Sequence, residues 1–221
     1  MGGETVELAP KVATPPSVAI LLCTYQGQDY LAEQLASYEA QTHRRWVVHA
    51  SDDGSTDDTL PLLEAWRAYR PAGQVSLWHG PRKGYAANFM SLAAHPDIHA
   101  DYFAYSDQDD IWEPNKLERA LKWLTTVPAD VPALYCSRST LVDASDRPIG
   151  VSVPISRPVS FANALAQNVA GGNTMVFNQA ARALLAATQP FAPDIPHDWW
   201  TYMVVAGCGG EVSVDDAATI R

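Results

Sequence analysis

Val18-Ala19-Ile20-Leu21-Leu22-Cys23 is an unbroken apolar run of strand length that ends in the polar turn Thr24-Tyr25-Gln26-Gly27. A strand with one wet face alternates apolar and polar residues, whereas a run without alternation suits a strand covered on both faces, as in a parallel sheet. Leu31, Leu35 and Tyr38 follow at helical spacing, so the run opens a strand–helix unit. The unit then repeats. Trp46-Val47-Val48-His49-Ala50 runs into Ser51-Asp52-Asp53-Gly54, and Ser55-Thr56-Asp57-Asp58 resembles a capping box opening a helix with Leu60, Leu63 and Trp66 inward. Val75-Ser76-Leu77-Trp78 predicts a third strand, residues 85–94 a helix, Tyr102-Phe103-Ala104-Tyr105 a fourth strand, and Pro114 the start of another helix. Buried strands alternating with helices predict an α/β fold with a mostly parallel central sheet flanked by helices.

Beyond Val127 the pattern loosens. Ala133-Leu134-Tyr135-Cys136-Ser137 and Thr174-Met175-Val176-Phe177 predict strands, Pro148 to Pro158 an irregular segment, residues 179–187 a helix, and Asp198 the neighbourhood of a last one. Residues 1–16 carry Pro10, Pro15 and Pro16 and no period, which predicts a flexible lead-in to a single domain over residues 17–221. With 221 residues, 47% of them hydrophobic, the chain is large enough for one sizeable core.

The formal net charge of -10 argues against nucleic-acid binding through a basic field and against electrostatic attachment to an anionic membrane. Cys23, Cys136 and Cys208 are scattered and odd in number, which argues against a disulfide framework or structural zinc and for a reducing, cytoplasmic setting. No apolar run approaches the ~20 residues of a bilayer span, and no secretory signal pattern opens the chain.

The polar clusters fall at the carboxyl ends of the predicted strands, where open α/β sheets bind ligands. The densest is Ser106-Asp107-Gln108-Asp109-Asp110-Ile111-Trp112, with three carboxylates in four positions. Such a cluster repels itself unless a cation sits in it, and an oxygen-rich site suits Mg²⁺ or Mn²⁺ held together with substrate phosphates. The plainer alternative is an acidic turn that caps the next helix. Asp52-Asp53-Gly54-Ser55 is likewise good turn chemistry.

In this order and spacing, Thr24-Tyr25-Gln26, Asp52-Asp53-Gly54-Ser55, Gly84 through Asn88, Asp107-Gln108-Asp109-Asp110 and His197-Asp198-Trp199-Trp200 resemble family 2 glycosyltransferases. The resemblance extends to their GT-A fold, a Rossmann-like nucleotide-diphospho-sugar transferase fold, and is greatest to bacterial rhamnosyltransferase-like members. It implies a nucleotide-binding half over about residues 17–126 and an acceptor and catalytic half over about 127–221. Asp107 and Asp109 match the D-x-D pair, with Asp109 the direct metal ligand and Asp107 or Gln108 near the ribose. Asp52 or Asp53 would accept from the base N–H, Tyr25 would stack near the ring, and Thr24 would offer backbone contacts. Lys83, Gly84 and Asn88 match the segment that approaches the nucleotide; many members carry an arginine where Ala87 stands, and Lys83 or Arg82 would replace it. Asp198 matches the general base of inverting transfer, and a carboxylate at a helix start among aromatic residues suits that work. Gly172 and Asn173 match the acceptor-side loop, with a simple turn the plainer alternative, and Trp112, Trp199 and Trp200 are candidates to stack on sugar rings, with core packing the alternative for each.

The resemblance implies a metal-dependent inverting transfer from a dTDP- or UDP-sugar, rhamnose among the candidates, to a saccharide or lipid-linked saccharide of the bacterial surface, with the protein cytoplasmic or peripheral at the inner face of the cell membrane. Members commonly continue past the last motif, so the expected chain is one cut within the fold or one whose missing functions come from elsewhere. A nucleotide-sugar pyrophosphorylase would want a basic, glycine-rich loop after the first strand, and Thr24-Tyr25-Gln26-Gly27-Gln28 carries no basic residue. A D-x-D phosphohydrolase would place its pair after the first strand, not the fourth. A catalytically impaired sugar-nucleotide-binding module is the alternative from outside enzymology.

Overall fold

A computed structural model describes residues 14–155, 157–191 and 195–221. Most of the lead-in predicted for residues 1–16 therefore lies outside the described residues. One eight-stranded sheet carries the fold. The strands are β1 (Val18–Thr24), β2 (Trp46–Asp52), β3 (Val75–His79), β4 (Tyr102–Ser106), β5 (Ala133–Val142), β6 (Pro148–Val151), β7 (Val176–Asn178) and β8 (Glu211–Ile220). The helices are α1 (Leu31–Glu39), α2 (Thr59–Ala68), α3 (Tyr85–Ala93), α4 (Lys116–Leu124), α5 (Phe161–Ala164), α6 (Gln179–Thr188) and α7 (His197–Gly207).

The sheet order is β3-β2-β1-β4-β7-β5-β6, with β8 pairing β5 off that path. β1 lies parallel to both β2 and β4, and β2 parallel to β3. β7 is antiparallel to β4 and β5, whereas β8 runs parallel to β5. The β1 run is buried at every position because the sheet divides its side chains between two cores. Val18, Ile20 and Leu22 face α1, α2 and α4 with Leu35, Leu63 and Leu121, whereas Ala19, Leu21 and Cys23 face α3, α6 and α7 with Phe89, Leu185 and Val205. Full burial of each such large aliphatic side chain is worth about 1.5–3 kcal/mol, which is why alternation is absent from the run. The register sets Thr24 opposite Asp52, Asp52 opposite His79, and Leu22 opposite Ser106. The three polar turns thereby share one carboxyl edge.

Several predicted boundaries shift. The segment Ser55–Asp58 does not close a capping box: Asp57 Oδ1 instead accepts from the backbone N (3.1 Å) and Oγ1 (2.6 Å) of Thr59, and α2 begins there. Pro114 precedes α4 in a turn closed by Lys116 N donating to Glu113 O (3.0 Å). Residues 172–174 form a 3-10 turn, so the strand predicted from Thr174 begins at Val176. The proline-rich segment contains the edge strand β6, with Pro148 at its first position, where a missing N–H costs nothing. β8 has no counterpart among the sequence-predicted elements. Its residues Glu211-Val212-Ser213-Val214-Asp215-Asp216 are mixed in polarity, and its pairing with β5 shifts register twice. Beyond it, Ile111 and Arg221 exchange backbone hydrogen bonds (2.6 and 2.9 Å) and Glu113 N donates to Thr219 O (2.8 Å), so β8 ends by holding the stretch that follows the acidic run. No helix among the described residues is long and apolar enough to cross a membrane.

Candidate active site

A cleft of about 700 Å³ opens at the shared carboxyl edge, lined by Cys23, Thr24, Tyr25, Asp53, Gly54, Arg82, Gly84, Tyr85, Asn88, Phe89, Asp107, Gln108 and Asp109. Turns after β1, β2, β3 and β4 all contribute, as topology requires of an open α/β sheet. Thr24 is buried at its base, while Tyr25 stands 58% exposed at its rim with its ring available to a planar ligand.

The two carboxylates after β2 do different work. Asp52 is buried and accepts four hydrogen bonds, from Thr24 Oγ1 (3.0 Å), Gly54 N (3.0 Å), Ser55 N (2.8 Å) and Ser55 Oγ (2.5 Å). Those bonds consume its lone pairs, so Asp52 shapes the turn and does not line the cleft. Asp53 lines it, and its two oxygens accept from Arg82 N (2.6 Å) and Gly84 N (2.8 Å), leaving one lone pair on each for a ligand N–H. That clamp holds the turn after β3, where Arg82 (φ 57°) and Gly84 (φ 86°) are left-handed; glycine meets that demand without strain. Asn88 is buried, bonded twice to Ser51 (Oδ1 from Oγ, 2.6 Å; Nδ2 to O, 2.9 Å), and ties α3 to β2 beneath the cleft.

Gln108 grips the turn after β1 through both atoms of its amide: Oε1 accepts from Tyr25 N (2.8 Å) and Nε2 donates to Tyr25 O (2.9 Å). A Cβ on Gly27 would fall 2.2 Å from that oxygen, so glycine there makes room for the bridge. Gln108 is thus a loop clamp in the cleft wall. Of the two basic residues near the Ala87 position, Arg82 lines the cleft beside Gly54, whereas Lys83 lines a neighbouring cleft of about 460 Å³ with Tyr85, His197 and Trp200.

Negative charge concentrates on the opposite wall. Burial, and then the carboxylates of Asp110, Asp109 and Asp198, push Asp107 up to about 7. Burial likewise pushes Asp110 up to about 6, opposed by its hydrogen bond from Asn173 and by the Lys116 charge and reinforced by Asp109. Asp110 Oδ2 is buried with no hydrogen-bond partner among the described residues, and Asp109 is exposed in the cleft. A loop with carboxylates short of donors and with raised proton affinity fits a hard divalent cation. Among the described residues no three His, Cys, Asp or Glu side chains form a ready-made ligand set, so a ligand's own oxygens would have to complete the shell.

Asp198, second residue of α7, is partly buried; its Oδ2 accepts from Gly172 N (3.2 Å) and its Oδ1 from Trp199 N (2.7 Å). Burial raises its pKa against those bonds. A Cβ on Gly172 would lie 2.4 Å from His197 Nε2 and 3.3 Å from Asp198 Cβ, so the turn approaches α7 closely only as glycine. Asn173 turns the other way and donates from Nδ2 to Asp110 Oδ1 (3.0 Å). The turn at 171–174 therefore joins the acidic loop to α7.

The three candidate tryptophans part company. Trp112 is a core residue, 2% exposed and edge-on to Tyr38 at 4.9 Å between centroids, because its bridge to Ile220 turns it inward; no sugar ring reaches it. Trp199 is partly buried and donates to Ala164 O (2.7 Å), while Trp200 lines the neighbouring cleft. His197 was not singled out by its own chemistry in the sequence, yet it is 4% exposed, stacked on Phe89 (4.0 Å) and edge-on to Tyr105 (4.8 Å). Both of its nitrogens lack partners among the described residues, and burial pulls its pKa down to about 3. Lys116 was also missed. Nothing in the surrounding Asn115-Lys116-Leu117-Glu118 distinguishes a buried lysine from a solvated one.

The strand order, the cleft over the carboxyl edge and the acidic loop after β4 define the GT-A architecture. Two solved structures share that fold: Staphylococcus aureus TarS 1-349 in complex with UDP-GlcNAc (TM-score 0.69, 18% identity, 92% of this chain and 57% of that one), and the mannosyltransferase PcManGT from Pyrobaculum calidifontis in complex with GDP-Man and Mn²⁺ (TM-score 0.65, 20% identity, 96% and 58%). The family model described as Glycosyl transferase family 2 matches residues 19–181, and the chain belongs to that family. Among curated proteins it resembles the dTDP-rhamnosyl transferase RfbG of Shigella flexneri, 34% identical over 131 residues that make up 55% of this chain and 45% of the relative. It also resembles the putative glycosyltransferase EpsE of Bacillus subtilis, 28% identical over 109 residues, or 49% and 38%. The chain matches less than half the length of these relatives.

Proposed function

We propose that this chain transfers a sugar, with inversion, from a nucleoside-diphosphate sugar to a saccharide or lipid-linked saccharide acceptor. The carrying observation is that one cleft presents Tyr25, Asp53, Arg82, Asp107 and Asp109 together, an aromatic, an N–H acceptor, a cation and a pair of carboxylates. In this reading Tyr25 covers the base, the free lone pairs of Asp53 accept from its N–H, and Arg82 neutralises part of the diphosphate. Asp109 and Asp107 would hold Mg²⁺ or Mn²⁺ with the diphosphate oxygens, and that ion supplies charge neutralisation for the leaving group.

Asp198 takes the proton. The acceptor oxygen forms its bond to the anomeric carbon, the bond from that carbon to the diphosphate oxygen breaks, and the hydroxyl proton passes to the carboxylate. Burial raises the affinity of Asp198 for that proton, while the N–H groups of Gly172 and Trp199 fix its direction. A donor half over residues 17–126 and an acceptor half over 127–221 follow from this division. Likeness to a dTDP-rhamnosyl transferase favours dTDP-rhamnose as donor, and a nucleotide-sugar donor supports a cytoplasmic reaction at or near the inner membrane face.

Titrating UDP and dTDP with and without Mn²⁺ tests the reading. Binding that strengthens with Mn²⁺ is expected; no binding of either nucleotide under any condition would end it. Binding without turnover of any sugar nucleotide would leave a sugar-nucleotide-binding module.

A further inference from the structure

Lys116 is 0% exposed, a condition lysine almost never meets without a partner. Its Nζ donates to the backbone oxygen of Asn173 (2.7 Å) and lies 4.7 Å from the centroid of the Trp112 ring. Burial pulls its pKa down to about 7, against the pull of Asp110 and Cys136, so the fold spends a buried ammonium chiefly on one carbonyl. That carbonyl belongs to the turn whose other groups reach the site. Asn173 Nδ2 donates to Asp110 Oδ1 (3.0 Å) and Gly172 N to Asp198 Oδ2 (3.2 Å). Lys116 projects from the first turn of α4, a helix that otherwise contributes nothing to the cleft.

We infer that Lys116 is a positioning residue for sugar transfer: from behind the cleft it fixes the turn at 171–174, and through it the direction of the Asp198 carboxylate and the seat of Asp110. The inference rests on the reading of Asp198 as proton acceptor. A lysine kept only for packing would be replaceable by methionine, which fills similar volume without a charge to desolvate.

Lys116→Met and Lys116→Gln provide the test; the glutamine variant retains an N–H and drops the charge. Both variants are expected to bind UDP with a Kd within about twofold of the unaltered chain, since the base and diphosphate contacts lie on other elements. The methionine variant should lose roughly tenfold or more in kcat with donor KM nearly unchanged, as loss of a charge-assisted hydrogen bond implies, and glutamine should recover part of it. Without any substrate, the Gly172 amide should exchange hydrogen faster in the methionine variant. A folded methionine variant with unchanged kcat, or with unchanged Gly172 exchange, overturns the inference. Should that variant fail to fold, Asn173→Ala cuts the next link, from the turn to Asp110, and keeps the carbonyl that Lys116 holds. Its loss in kcat should be less than multiplicative with that of Lys116→Gln, and a simple product overturns the inference too. Failure of the transferase reading looks different, because then the unaltered chain would itself bind no nucleotide and turn over no sugar nucleotide.

Discussion

The carboxylates after β2 and those after β4 stand on the same sheet edge and are built on opposite terms. Asp52 and Asp53 accept six hydrogen bonds from the chain itself, whereas Asp107 and Asp110 are half-buried beside like charges, and one oxygen of Asp110 has no partner among the described residues. A carboxylate with every lone pair filled by the chain, as in Asp52, is scaffold, whereas Asp53 keeps one lone pair on each oxygen; a carboxylate raised by its neighbours is poised for a cation. Asp198 lies between these cases, held by two N–H groups and still raised.

The intermediate case should give the largest effect. Asp198→Asn keeps the shape and removes the base, so transfer should fall by about 10²- to 10⁴-fold while nucleotide binding stays nearly intact; equal loss of binding would make Asp198 scaffold like Asp52. Asp52→Ala removes an acceptor of four bonds and strands the donors of a buried turn. It should cost about 3 kcal/mol in chemical denaturation, and a cost under about 1 kcal/mol would break the contrast.

His197 probes the wall behind Asp198. Its folded pKa of about 3 lies below the unfolded value, so the unfolded chain binds the extra proton first and stability is lost as pH falls below about 6.5. Between pH 7.5 and 5 the unaltered chain should lose about 2 kcal/mol more than His197→Gln does, and parallel pH profiles would show that the ring is already solvated. The smallest effect belongs to the acidic loop itself: Asp107→Asn should leave stability unchanged or raise it by about 1 kcal/mol, because it relieves repulsion. The same variant should lose the Mn²⁺ dependence of nucleotide binding, whereas a clear destabilisation would class Asp107 with Asp52.

Legibility followed the kind of force involved. β1, β2 and β4 could be read from apolar runs, because burial on both faces is a property of the segment. β8 could not, because its mixed residues owe their strand to β5, a partner distant in sequence. The sequence reads Gln108 and Asp52 as candidate ligand contacts, since nothing local shows that Tyr25 and Ser55 already occupy their polar atoms. For Trp112 the sequence leaves sugar stacking and core packing both open, and it is core, paired beside Ile220.

By itself, the sequence determined the alternation of strands and helices, the three polar turns at one sheet edge, and the family to which those turns belong. Only the tertiary structure decided which polar groups are left over for a ligand. Residue type sets how many hydrogen bonds a side chain can make, but which of them are already spent depends on neighbours brought close by folding. Thus Asp53 keeps a free lone pair on each oxygen, Asp52 keeps none, and Lys116 spends its charge on a turn 57 residues away.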